Sequence, residues 1–105
     1  MMERFKYLFV VVFLSMIAVG SVEASQQLAT DSGCMNCHKI DSKSIGPALK
    51  EIAAKYKADS GAEAALVDKV KSGGSGTWGT MPMPPNSPRI SDADIQTLVK
   101  WILAM

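Results

Sequence analysis

The sequence predicts an all-α domain of about four helices behind a removable leader. Three observations carry this. Apolar residues recur at i, i+3, i+4, i+7 in two stretches, Leu49, Ile52, Ala53, Tyr56 and Ile95, Leu98, Val99, Ile102; that spacing paints one face of a helix. Glycine and proline clusters separate the candidate helices, at Gly33, at Asp59-Ser60-Gly61 and from Gly73 to Pro88. No stretch alternates apolar and polar residues as a half-buried strand would, and there is no internal repeat or second domain.

The chain begins with a secretory signature. Met1 to Tyr7 carries Arg4 and Lys6, Leu8 to Gly20 is apolar apart from Ser15, and the small residues Val22 and Ala24 stand three and one before a break. This reads as a signal peptide, 1–24, cleaved after Ala24. The apolar run of 13 residues is short of the ~20 that span a bilayer; an uncleaved anchor is the alternative. The mature chain, 25–105, is then a single domain in the periplasm, with no stable membrane insertion after cleavage. No cysteine sits at the cleavage point for lipidation.

Charge says little about partners. The whole chain has net charge +1, and Glu3, Arg4, Lys6 and Glu23 cancel within the leader, so the mature chain keeps that value. It has no basic tract, which argues against nucleic acid. A domain this short buries a thin core and needs a staple.

Gln26 to Ser32 is the first helix candidate, with Leu28 and Ala29 apolar and Gly33 as its stop. It leads into Cys34-Met35-Asn36-Cys37-His38, which holds both cysteines of the chain and its one histidine. The pattern C-x-x-C-H is the attachment site of a c-type haem. Each thiol can form a thioether with a haem vinyl group, and the histidine can supply an axial nitrogen to the iron. A thioredoxin-like redox pair would need a βαβ context. A closed zinc site would need four ligands, not three adjacent ones. A plain disulfide is the remaining alternative. Met35 is read as packing against the first helix.

Lys39 to Ile45 is a polar loop, closed by Gly46-Pro47. The Pro47 carbonyl is free to accept from the second nitrogen of His38; equally, the proline could simply stiffen the loop. Ala48 to Lys57 is the second helix, with Lys50, Glu51, Lys55 and Lys57 read as a solvated face. Ala62 to Ser72 is the third, with Ala62, Ala65, Leu66 and Val70 inward. Ser72 to Gly76 reads as a flexible turn; it lacks the G-K-[ST] of a phosphate loop.

Thr77 to Pro88 contains four prolines, which exclude helix and central strand. Met81 and Met83 lie in this stiff loop and offer soft sulfur ligands for the iron's second side. Ser91 to Ala104 is the last helix, with Ser91 and Asp94 resembling a capping box and Trp101 beside the buried stripe.

With these pieces together, the chain resembles a small bacterial class I cytochrome c of the c-551/c-552 type, over nearly all of 26–105. The marks are Gly33 to His38, Gly46-Pro47-Ala48, Trp78-Gly79, Pro82-Met83-Pro84-Pro85 and Leu98-Val99-Lys100-Trp101. The resemblance implies the class I fold, about four helices wrapped around one covalently bound haem c. It implies thioethers at Cys34 and Cys37, and iron held by His38 and Met83. It also implies Pro47 accepting from His38, Trp78 and Lys69 near a haem propionate, and the Asn86 amide reaching toward the Met83 sulfur. Ser87-Pro88-Arg89-Ile90 is a slightly longer link than the family usually has.

The implied function is a monomeric electron carrier, not an enzyme, shuttling single electrons between respiratory complexes. The implied donor is a quinol-oxidising complex, and the implied acceptor a nitrite reductase or terminal oxidase. An apolar docking patch around Met35 and Pro82 to Pro85, rimmed by lysines, is expected to meet them. The rival readings are an open-site haem enzyme or gas sensor, and a cytochrome subunit fixed to an oxidase or reductase. The first suffers from the lack of any second histidine.

Overall fold

The structure is a computed structural model that describes residues 20–105. Residues 1–19 of the predicted leader lie outside the described residues.

Helix α1 spans Gly20–Asp31, starting earlier than the sequence pattern suggests. Glu23 in its first turn complements the helix dipole, and Gln27 Nε2 donates to Asp31 Oδ1 at 2.9 Å one turn on. The predicted cleavage point after Ala24 falls inside this helix. Gly33, at φ 87, ends it as expected. A 3-10 turn, Cys34–Asn36, follows directly and packs against α1.

Helix α2 spans Leu49–Tyr56 and buries Leu49 and Ala53, two of the four residues of its apolar stripe; Ile52 and Tyr56 are half-buried. Helix α3 spans Ala62–Ser72. Its Ala62 is buried, but Ala65, expected inward, is exposed. Val67 instead packs with Leu66 and Val70 against the core. Helix α4 spans Asp92–Leu103, and the Ser91 side chain accepts from Asp94 N, as a cap should. Trp101 is half-buried.

The four helices are joined by an element the sequence pattern did not show. Strands β1 (Gly74–Gly76) and β2 (Gly79–Met83) pair antiparallel, in register Gly74 with Met83 and Gly76 with Gly79. Thr77 and Trp78 form the tip of this hairpin. Pro82 lies within β2, which a two-stranded ribbon tolerates because both strands are edges.

Helix α4 is the hub and packs against α1, α2 and α3. Ile90, Ile95 and Val99 form the buried cluster, with Leu66, Val67, Val70 and Leu103 packed on it. Leu49, Ile95 and Val99 are the largest fully buried side chains. Each such residue stabilises by about 1.5–3 kcal/mol, against roughly 1–2 kcal/mol of backbone entropy lost per ordered residue. The thin core expected from length is present, and other apolar side chains, Ile52, Leu66, Val70 and Ile102 among them, line a cleft.

Candidate haem site

The 3-10 turn brings Cys34, Cys37 and His38 to one wall. Cys37 N and His38 N both donate to the Cys34 carbonyl, at 3.3 and 3.0 Å. Gly46 N donates to Cys37 O at 2.8 Å and folds the following loop back over the turn. Both cysteines are free and half-buried. Burial pushes the Cys34 thiol up, while a backbone hydrogen bond and the Arg89 charge pull it the other way.

His38 is held in one orientation. Its Nδ1 lies 2.8 Å from the Pro47 carbonyl oxygen. A carbonyl only accepts, so Nδ1 carries the proton and Nε2 keeps its lone pair for a metal. The ring also lies close against Gly46: a Cβ there would sit 2.7 Å from Cε1 and 2.9 Å from Nδ1. No residue but glycine fits this contact without moving the imidazole.

The turn, helices and ribbon enclose a cleft of about 1070 Å³, counting the part open to solvent. One side is apolar: Leu49, Ile52, Leu66, Val70, Val99 and Ile102. Cys34, Cys37, His38 and Pro47 contribute another part of its wall, and Trp78, Met81 and Met83 come from the ribbon. Lys69 lines it as well, while Met35 and Asn86 do not. Two thiols, an imidazole with a free Nε2 and thioether sulfurs around a large apolar space suit an iron porphyrin. Among the described residues no group of three or more His, Cys, Asp or Glu could hold a bare ion.

Met81 and Met83 both line the cleft, from a strand whose register is irregular between its two pairs. Met83 is half-buried, whereas Met81 is 67% exposed. The Met83 backbone is packed on the end of α3, where Gly73 has φ +70 and an added Cβ would collide with Met83 O and lie 2.8 Å from Pro84 C.

Asn86, which the resemblance implies reaches toward the Met83 sulfur, lies in the loop just after it. It is buried, and its Nδ2 donates to Val70 O and Pro84 O, both at 3.1 Å. Its Oδ1 accepts from Arg89 Nη2 at 2.6 Å. Asn86 N and Ser87 N also donate to Lys71 O, each at 3.2 Å. The loop thus satisfies carbonyls in the last turn of α3 that have no helical partner.

Three contacts escaped the sequence pattern. Lys55, read as solvated, is exposed, yet its Nζ lies 5.6 Å from the Trp78 ring centroid and 5.9 Å from that of Tyr56. Ile45, at 57% exposure, stands at the cleft. Arg89 Nη1 donates to Ser32 O at 2.9 Å, across 57 residues. No spacing rule joins residues on separate elements; the one local hint was the cluster Gly73, Gly74, Gly76, Gly79, whose turns bring the ribbon back.

The family model described as cytochrome c matches residues 22–105. The chain is 45% identical over 98 residues to cytochrome c-551 of Pseudomonas aeruginosa, covering 87% of this chain and 92% of that one. It is 46% identical over 93 residues to cytochrome c-551 of Allochromatium vinosum, covering 89% and 98%. Its backbone is similar to the crystal structure of wild-type Nitrosomonas europaea cytochrome c552, with TM-score 0.72 and 48% identity over 75% of this chain and 96% of that one.

Proposed function

The chain belongs to the cytochrome c family, and from that premise we propose that it is a soluble, monomeric, periplasmic carrier of single electrons between respiratory complexes. The class I fold and a covalently bound haem c with iron come with the family. Cys34 and Cys37 are the cysteines available for the two thioethers.

The observation that carries the proposal is a pair of suitable ligands on one cleft: His38 with a free Nε2, and the half-buried Met83. Bound haem supplies a one-electron couple, and His/Met ligation raises its potential. The chain's part is to hold that couple still. Pro47 fixes the His38 tautomer and ring plane. The apolar helix wall excludes water from the iron's surroundings. The ribbon brings Met83 to the cleft, and Met83 rather than the exposed Met81 is the proposed ligand. Trp78 and Lys69 line the same cleft and are proposed to meet a propionate. Asn86 is proposed to support the loop from behind.

Docking is proposed at the cleft mouth, where Ile45, Met81, Pro82 and Pro84 are exposed and Lys55 lies nearby over Trp78. A net charge of +1 gives little long-range steering, so brief encounters rest on small apolar contact. A quinol-oxidising complex as donor and a nitrite reductase or terminal oxidase as acceptor complete the proposal. So does removal of 1–24 as a signal peptide, on the basic start and the short apolar run that end at Val22 and Ala24.

A visible spectrum of the purified protein, oxidised, reduced and reduced under carbon monoxide, tests this reading. A closed site shows haem c with His/Met ligation and no rapid change with carbon monoxide. Fast, stoichiometric binding at neutral pH would move the protein to the open-site class.

A further inference from the structure

We propose that Arg89 is a positioning residue for the iron's sulfur ligand, tying the end of the haem-attachment segment to the loop that carries Met83. The inference rests on the proposed ligation by Met83.

The guanidinium makes two directed bonds. Nη1 donates to Ser32 O at 2.9 Å, and Nη2 donates to Asn86 Oδ1 at 2.6 Å. Ser32 lies between the last residue of α1 and Gly33-Cys34. Asn86 lies three residues after Met83. Arg89 is therefore a strut between the two segments that flank the iron, and it sits in the link that is longer than the resemblance implies.

The strut also decides which way Asn86 faces. Arginine has donors only, so the Asn86 oxygen must point at it. The amide hydrogens then fall to Val70 O and Pro84 O. Pro84 directly follows Met83, so the chain of contacts runs from Ser32 through Arg89 and Asn86 to the residue next to the ligand. Removing Arg89 leaves the Asn86 oxygen without its cation and the loop without its tie to α1.

Shape outweighs charge here. Arg89 is exposed on the whole, so water screens its field at the iron. A fork of parallel donors reaches two acceptors, Ser32 O and Asn86 Oδ1, while a lysine ammonium does not reproduce that planar geometry. A cation at the C-terminal end of α1 is favoured by the helix dipole with either residue. Lysine and glutamine variants therefore separate positioning from charge.

The test is a titration of the ferric, haem-loaded protein with imidazole, which competes with a weakly held sulfur. Arg89→Gln and Arg89→Lys should both bind imidazole about tenfold more tightly than wild type, corresponding to about 1.4 kcal/mol of lost ligand hold. Their haem content and ferrous spectrum should be unchanged. Wild-type affinity in Arg89→Lys with loosening in Arg89→Gln would overturn the proposal in favour of charge alone. Wild-type affinity in both would overturn it outright. Because Arg89 acts through Asn86, Arg89→Gln with Asn86→Ala should bind imidazole no more tightly than Asn86→Ala alone; additive effects would count against it. Met83→Leu in the same titration isolates the premise, since an affinity equal to wild type there would show that Met83 is not the ligand.

Discussion

His38 Nδ1 and the Pro47 carbonyl oxygen stand 2.8 Å apart, and the peptide between them, Gly46, presses on the same imidazole. The two neighbours act on the ring differently. Pro47→Ala keeps the carbonyl and loses only the fixed φ, a change of about 0.4–1 kcal/mol. Gly46→Ala forces a methyl into the ring, an overpacking that costs about 1–3 kcal/mol. Denaturant unfolding of the haem-loaded protein should rank Gly46→Ala as the more damaging, with a lowered reduction potential in that variant alone.

Met83→Leu should abolish the sulfur-to-iron absorption band and lower the potential. Met81→Leu should leave both nearly intact, because Met81 is mostly in solvent. Spectra and redox titrations of the two variants check this, and the reverse pattern would transfer the ligand role to Met81.

Lys55 above Trp78 links α2 to the hairpin tip. An exposed cation–π contact is worth about 0.5–1 kcal/mol. A double-mutant cycle with Lys55→Gln and Trp78→Leu should give a coupling energy of that size, and Lys55→Arg should keep wild-type stability. Coupling near zero would leave Lys55 a solvated charge.

Ser91 Oγ accepts from Asp94 N at 3.2 Å at the head of α4, the helix on which the others pack. Ser91→Ala should cost about 1 kcal/mol. Thermal unfolding of the haem-loaded variant should show the loss, and Ser91→Asp should restore most of it.

The helices were legible where burial leaves a period. Leu49, Ala53, Ile95, Leu98 and Val99 are buried as their spacing required. The His38–Pro47 bond was one of two open readings of Gly46-Pro47, and the structure shows it. In α3 small and apolar residues occur on several sides, so Ala65 was placed inward when Val67 does the packing. The ribbon was illegible for another reason: nearly all its side chains are exposed, so neither face selects a period and backbone pairing alone defines it. Asn86 Nδ2 donates to Val70 O and Pro84 O, partners that no sequence pattern indicates. That outcome depends on Arg89, which meets Ser32 across 57 residues, beyond any local rule.

The residues just after Met83 are also the stop of α3, since Asn86 N, Asn86 Nδ2 and Ser87 N hold the carbonyls of Val70 and Lys71. Under the proposed ligation, a sulfur that drifts from the iron drags this stop with it. Helix fraying and ligand release then become one cooperative opening. Deuterium should enter the Asn86 and Ser87 amides at a common rate, and that rate should rise together at both in any variant that loosens Met83.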